Sequence, residues 1–313
     1  MRKLIIVVAS LLVAVLFILQ GFQQTHPLPE PDNSHQTTAT GEGIEDALDA
    51  IYFDVPIMGV QNATAERLAA DFGVDTSDTA IRESVREHNE VCRILTEIGE
   101  LRKLDIPPVT GYEYAVLVLV SYTCPKRLIL PFLRETLEEI KARRVDAEKN
   151  YRVRVAVVGS EIDDPNLIKL IESCGALVVA DRYCYGSFPG RQEIELTEHE
   201  DALTQVCRWY LQNTECPRQS ALHRVKYRND HVAQLVKDFK ADGAIYEQMK
   251  FCTYWSYERV IASQIMPRDY GIHILSIDRP YISGQSGQLR TRVQAFVESI
   301  EMKKLRTVQK GEN

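Results

Sequence analysis

The sequence predicts an α/β chain: a doubly wound parallel sheet of about four strands, preceded by a helical segment. Three observations carry this. Apolar residues recur at helical spacing between Asp78 and Lys103, short β-branched runs begin only after Asn150, and from there strand patterns alternate with helix patterns to the end. Such alternation implies parallel strands joined by right-handed crossovers.

In order, Arg2 and Lys3 precede an apolar run from Leu4 to Leu19 that contains nothing more polar than Ser10. The run is short for a spanning helix, which needs roughly 20 residues, and long for a cleaved leader. Residues 1–20 therefore read as a signal-like or membrane-anchor segment, and a start joined to an unrelated domain fits as well. Between Thr25 and Gly43 the composition shifts to Pro, Thr, Ser, Gln and Gly, which does not repay the entropy of ordering, so residues 21–45 read as a flexible linker. Asn62-Ala63-Thr64 is a glycosylation sequon that matters only on export; Thr64 reads rather as a helix cap.

Residues 46–150 form the mostly helical segment. Ile81, Val85, Cys92, Leu95, Ile98 and Leu101 mark one face of a long helix that Pro107-Pro108 ends. Further helices are expected over Tyr112–Tyr122 and from Pro131 to about Arg144. Residues 151–305 form the α/β domain, with strands at Val153–Val158, Leu177–Ala180, Gly243–Tyr246 and Ile272–Ile277. The helices between them are expected from Asp164-Pro165 to Gly175, over Asp201–Leu211, from about Ser220 to Phe239, from about Ser256, and over Gln288–Leu305; residues 306–313 are a tail.

In such sheets ligands bind outside the carboxyl ends of the strands. The loops expected there are Gly159-Ser160-Glu161, Asp181-Arg182-Tyr183-Cys184, Lys250-Phe251-Cys252 and the glycine turn Ser283 to Gln288, so Cys184 and Cys252 converge on one edge. The last turn opens a helix, where the free N–H groups of Ser286, Gly287 and Gln288, assisted by Arg290 and Arg292, are candidates for holding a phosphate or carboxylate. Glycines making a turn and arginines solvating a helix explain the same residues without a ligand.

Composition and missing motifs narrow the chemistry. A hydrophobic content of 45% supports a real core, and 44 acidic against 37 basic residues, a formal charge of −7, argue against nucleic acid as a partner. The seven cysteines lack the regular spacing of a secreted disulfide framework and read as reduced thiols or metal ligands. Cys92, Cys124, Cys174 and Cys207 read as core, and Cys216 as a loop cysteine with a spare ligand role at most. His273 reads as a packed, hydrogen-bonded residue, and His88, His223 and His231 as surface. There is no G-x-S-x-G, H-E-x-x-H, phosphate loop or C-x-x-C.

Three stretches, VRVAVVGSEIDDPNLIKLIESCGALVVADRYCYG, GAIYEQMKFCTYW and GIHILSID followed by SGQLRTRVQAFVESIE, together with the helical segment from Asp78 to about Pro108, resemble the 2-hydroxyacyl-CoA dehydratase D-component family, which includes benzoyl-CoA reductase subunits. The resemblance covers roughly Asp54 to Glu301. It implies a flavodoxin-like α/β fold and a heterodimer with a related D-component subunit. It further implies a [4Fe-4S] cluster near a CoA thioester, and an electron delivered by a separate ATP-dependent iron–sulfur activator protein. On this resemblance Cys252, in its KFC motif, matches the cluster cysteine, Cys184 is a further metal candidate, and Ser286 to Gln288 with Arg290 and Arg292 lie near the CoA thioester or the cluster. The implied reaction is radical dehydration of a 2-hydroxyacyl-CoA to an enoyl-CoA; ring reduction, or a non-catalytic interaction scaffold, is the alternative. Two departures stand out: the family's additional N-terminal domain is replaced by the apolar run and linker, and Thr253 stands where the family commonly has Asp. The family implies a cytoplasmic location, the apolar run a membrane.

Overall fold

The computed structural model describes residues 61–144, 150–187, 192–213, 216–218, 222–280 and 286–311. The apolar run, the linker and the first part of the glycine turn lie outside them. Among the described residues no helix is long and apolar enough to cross a membrane. Described elements are helix α1 (61–72), α2 (Asp78–Glu100) with a 3-10 turn Leu101–Lys103, α3 (Gly111–Thr123), α4 (Lys126–Ala142), β1 (Val153–Gly159), α5 (Asn166–Ser173), β2 (Ala176–Tyr183), α6 (Ala202–Asn213), α7 (Leu222–Asp238), β3 (Gly243–Met249), α8 (Thr253–Asp269), β4 (Ile274–Arg279) and α9 (Ser286–Gly311).

The chain divides into two compact units, Met1–Arg86 with Ile194–Leu211 and Glu87–Glu193 with Gln212–Asn313. In the smaller, the start of α2 is held by polar contacts: Asp78 accepts from the Ala202 N–H at 2.6 Å, and Arg82 donates to the carbonyls of Thr197 and Glu200, each at 2.8 Å. Gln61 donates to the Thr204 hydroxyl at 2.9 Å. Thr64 lies inside α1 and is not its cap, because the helix already runs from residue 61.

The larger unit carries the sheet, whose order is β2-β1-β3-β4 with every pair parallel. This is a flavodoxin-like doubly wound arrangement, as the sequence predicts. Side chains alternate across it as the strand period requires. Val153, Val155, Val157, Ile245 and Ile277 pack on one face against Ile168 and Ile171 of α5 and Val293, Phe296 and Val297 of α9. Ala156, Val158, Ala244 and Tyr246 pack on the other against Val232 of α7 and Trp255, Ala262 and Met266 of α8. A separate helical core joins Leu95 and Ile98 of α2, Tyr114 and Val118 of α3, and Ile129, Leu133, Leu137 and Ile140 of α4.

Several boundaries differ from expectation. Helix α4 begins at Lys126, not Pro131, because buried Ile129 and Leu130 draw the preceding turn into the helical core and the Pro125 carbonyl accepts from the N–H groups of Leu128 and Ile129. Strand β2 continues through Asp181-Arg182-Tyr183 and β3 through Glu247-Gln248-Met249, so residues expected in loops are strand residues. Helix α8 starts at Thr253, one turn earlier than expected, with Cys252 as its N-cap residue.

Candidate functional site

The carboxyl edge of the sheet is built on Ser160, which follows β1 between the two flanking strands. Its N–H and hydroxyl both donate to Glu247 Oε2, at 3.1 and 2.9 Å, and its hydroxyl oxygen accepts from the Met249 N–H at 2.6 Å. Its carbonyl accepts from the Cys184 N–H at 3.0 Å. One small residue thus ties the Cys184 loop after β2 to the Lys250-Phe251-Cys252 loop after β3. Gly159 is obligatory here, since a Cβ would stand 2.6 Å from the Glu247 carbonyl oxygen and 2.7 Å from its carboxylate.

Glu247 is fully buried, and Arg279 at the end of β4 forms an ion pair with it, Nε to Oε1 at 2.8 Å, at an angle short of a hydrogen bond. Burial pushes the Glu247 carboxyl above the usual carboxylate range, against the pull of Arg279 and of the Ser160 donors. Arg279 also donates to the Glu161 carbonyl at 2.5 Å, and its own carbonyl accepts from the Lys250 N–H at 2.8 Å. The loop leading to Cys252 is therefore fixed from three strand ends. Phe251 adopts a left-handed φ of 75° and is 98% exposed, a backbone conformation unusual for a bulky residue and characteristic of functional sites.

Cys252 is half-buried, and burial pushes its thiol up; the Trp255 N–H in the first turn of α8, short of full hydrogen-bond geometry, opposes this. Cys184 is exposed by area, yet the protein packed around its sulfur, followed by the neighbouring Cys216 thiol, pushes it up to about 12. The Trp255 indole favours the ionised sulfur of Cys184, though its Nε1 makes no full hydrogen bond. Cys216, given at most a spare ligand role from the sequence, lies within electrostatic reach of both Cys184 and Cys252.

The structure brings Cys184 and Cys252 to one edge, as the sequence predicts. It describes Ser286 only by its backbone; Gly287 and Gln288 are exposed at the start of α9, and a Cβ on Gly287 would meet open space. Arg290 donates to the Ser173 hydroxyl at 3.0 Å and Arg292 to the Ser276 carbonyl, so both tie α9 to its neighbours. Glu247 and Arg279 were not foreseen, although a glutamate in the middle of GAIYEQM was a signal for them. His231 is not a surface residue: it is partly buried and accepts at Nδ1 from Arg182 Nε at 3.1 Å.

No three His, Cys, Asp or Glu among the described residues are placed to hold a metal ion. A cubane cluster makes a different demand, because its thiolates bind separate iron corners and span a wider gap than the ligands of one ion. The thiols of one shared edge and the partnerless indole N–H beside them fit such a group. A hollow of about 340 Å³ lined by Asn62, Ala65, Glu66 and Asp78, among others, lies within the smaller unit and has no thiol in its lining.

Comparison with known proteins places this geometry in a family. The chain is 24% identical over 264 residues to YjiM of Escherichia coli (strain K12), a protein named as a dehydratase subunit, covering 82% of this chain and 66% of that one. It is 23% identical over 238 residues to the (R)-phenyllactyl-CoA dehydratase beta subunit of Clostridium sporogenes, covering 75% of this chain and 61% of that one. The chain thus spans somewhat under two thirds of the length of these relatives. Residues 57–300 match the family model described as 2-hydroxyglutaryl-CoA dehydratase, D-component. The chain belongs to the 2-hydroxyglutaryl-CoA dehydratase D-component family.

Proposed function

We propose that this chain is one subunit of a 2-hydroxyacyl-CoA dehydratase-type iron–sulfur enzyme, which removes water from a 2-hydroxyacyl-CoA to give an enoyl-CoA. The observation that carries the reading is the placement of Cys252 at the N-cap of α8, on the carboxyl edge just after β3, in a loop tied through Ser160 to the Cys184 loop. Cys252 and Cys184 would hold a [4Fe-4S] cluster. When bound, that cluster supplies one-electron transfer to the substrate thioester after charging by an ATP-dependent iron–sulfur activator.

The chain's own residues position and enclose. Ser160, Glu247 and Arg279 fix the loop that presents Cys252, and the buried indole of Trp255 covers the inner side of the site. The start of α9, with Gly287 and Gln288 exposed, offers backbone N–H groups to the anionic end of a CoA thioester. A related D-component subunit would complete the enzyme. Phe251, Tyr257 and Val260 are 98%, 67% and 56% exposed and form an apolar face running from the Cys252 loop along the outside of α8, a surface suited to that subunit.

The test is anaerobic co-production with a related D-component subunit, followed by iron and acid-labile sulfide analysis, an absorbance spectrum and dehydration assays. Bound iron and sulfide with a broad brown absorbance, lost in Cys252→Ser, support the reading. A folded, colourless, iron-free complex would make the chain an interaction scaffold instead.

A further inference from the structure

We propose that Asp181 is the positioning residue of the Cys184 turn, its buried carboxylate closing the turn from within while Arg102 and Tyr114 tie that carboxylate to the helical core. The inference rests on the cluster reading above only for the group to which Cys184 would present its sulfur.

The turn begins where β2 ends. Ser187, six residues beyond Asp181, brings the chain back: its N–H donates to Asp181 Oδ2 at 2.5 Å and its hydroxyl to Oδ1 at 2.9 Å. Between them the Gly186 N–H donates to the Tyr183 carbonyl at 2.9 Å. Only glycine fits this return, since a Cβ at Gly186 would stand 2.4 Å from Asp181 Oδ2 and 2.8 Å from the Tyr183 ring. Cys184 lies inside the closed loop, and its own N–H donates to the Ser160 carbonyl at 3.0 Å. Its backbone is thus held from two sides, by Ser160 after β1 and by the Asp181 closure.

The closure is itself anchored. Asp181 and Arg102 are 4% and 3% exposed, and Arg102 Nη2 donates to Asp181 Oδ1 at 2.8 Å. The Arg102 guanidinium lies 3.7 Å from the centre of the Tyr114 ring, a cation over an aromatic face. The Tyr114 hydroxyl in turn is 3.1 Å from the Ser187 hydroxyl. Arg102, Asp181, Ser187 and Tyr114 therefore form a closed circuit, and Tyr114 belongs to the helical core with Leu95, Ile98 and Val118. Replacing a buried ion pair by apolar residues of similar volume is often neutral or stabilising, so stability alone does not call for one here. Direction does, because each polar contact of the circuit fixes an angle as well as a distance. Outer contacts of this kind hold a ligand of a metal group close to its working position. Cys252 has a separate support in Ser160, Glu247 and Arg279, so the two thiols can be disturbed one at a time.

The test uses the full chain with its partner subunit. Asp181→Asn removes the closure but strands the Arg102 charge and risks the fold, so milder variants carry the test. Ser187→Ala deletes the hydroxyl that meets both Asp181 and Tyr114, Tyr114→Phe deletes only the phenol oxygen, and Ser187→Thr keeps the hydroxyl. Alkylation of the iron-free protein by iodoacetamide, mapped by mass spectrometry, should be about fivefold faster at Cys184 in Ser187→Ala and unchanged at Cys252. Tyr114→Phe should act in the same direction, and Ser187→Thr should behave as the unsubstituted chain. Ile300→Val lowers stability from the amino end of β3, beside Gly243, and should alter neither rate. After anaerobic loading with ferrous iron and sulfide, Ser187→Ala should also shift the electron paramagnetic resonance of the reduced sample. Equal rates at Cys184 in Ser187→Ala, Tyr114→Phe and the unsubstituted chain, or a change shared by Cys252 or by Ile300→Val, overturn the inference. A change confined to Cys184 in a complex that takes up no iron supports the positioning and overturns the cluster reading, so the two failures are distinct.

Discussion

His231 accepts at Nδ1 from the buried Arg182 guanidinium, with the Tyr227 ring beside it on α7, and this arrangement requires a neutral imidazole. Burial, with Arg182 second, lowers its pKa to about 4 from an ordinary 6.5. A depressed histidine stabilises the fold above its unfolded pKa and loses that contribution as pH falls toward the folded one, since the unfolded chain binds the proton first. Between pH 7 and pH 5 the loss should be about 2 kcal/mol. Partly buried Glu172 and fully buried Glu247, whose carboxyls are raised, work in the opposite direction over an overlapping range. The measurement is therefore a difference: urea midpoints at both pH values for the wild type and for His231→Gln, whose amide oxygen still accepts from Arg182. The variant should lose less stability than the wild type on acidification; equal losses would mean His231 titrates as in water. The sequence hid this residue because α7 is charged along much of its length, and only the arrival of Arg182 from β2 shows which of its polar residues face inward.

At the scale of elements, Glu172 near the end of α5 ties together three pieces of the larger unit. Its carboxylate accepts from the N–H groups of Gly111 at 2.8 Å and Tyr112 at 3.2 Å, at the start of α3, and from Val178 of β2 at 3.2 Å. Gly111 permits the approach, since a Cβ there would stand 2.5 Å from both the Cβ and the carbonyl oxygen of Val178. Glu172→Ala leaves these donors without their acceptor and should cost about 3 kcal/mol in urea unfolding, and Gly111→Ala should cost a similar amount, about 1–3 kcal/mol, through overpacking. A loss below about 0.5 kcal/mol in either would show that the junction relaxes freely. The elements themselves were legible, because the β-branched run of β1 and the apolar spacing of α2 record burial directly. Strand ends were not. Asp181 reads as a loop residue until Arg102 reaches it at 2.8 Å, and Glu247 until Arg279 and Ser160 do. Partners so distant along the chain leave no local pattern.

For the whole molecule, topology explains why the site was partly visible beforehand. An order of β2-β1-β3-β4 places the ends of β2 and β3 on either side of β1, so two cysteines in separate strand-end loops meet at one edge once the strands are known to be parallel. Cys216 follows α6 on a helix connection, and nothing in the strand pattern announces where that connection returns. The same topology sets α8 against the sheet with Trp255, Ala262 and Met266 inward, and its other side carries Tyr254, Tyr257, Val260 and Ile261 into solvent next to Phe251. An exposed apolar row is a liability in a chain that stays alone, and it becomes an asset where a second subunit covers it. Because these side chains are exposed, replacing them should spare the fold and act on association. Phe251→Asp and Tyr257→Asp should each weaken binding of the related subunit by about 2 kcal/mol, close to thirtyfold, while leaving thermal unfolding of the isolated chain unchanged. Sedimentation of the co-produced pair measures both species. Undiminished association in the double substitution would place the interface on another face, and it would then fall to some other contact to shield the Cys252 loop from water.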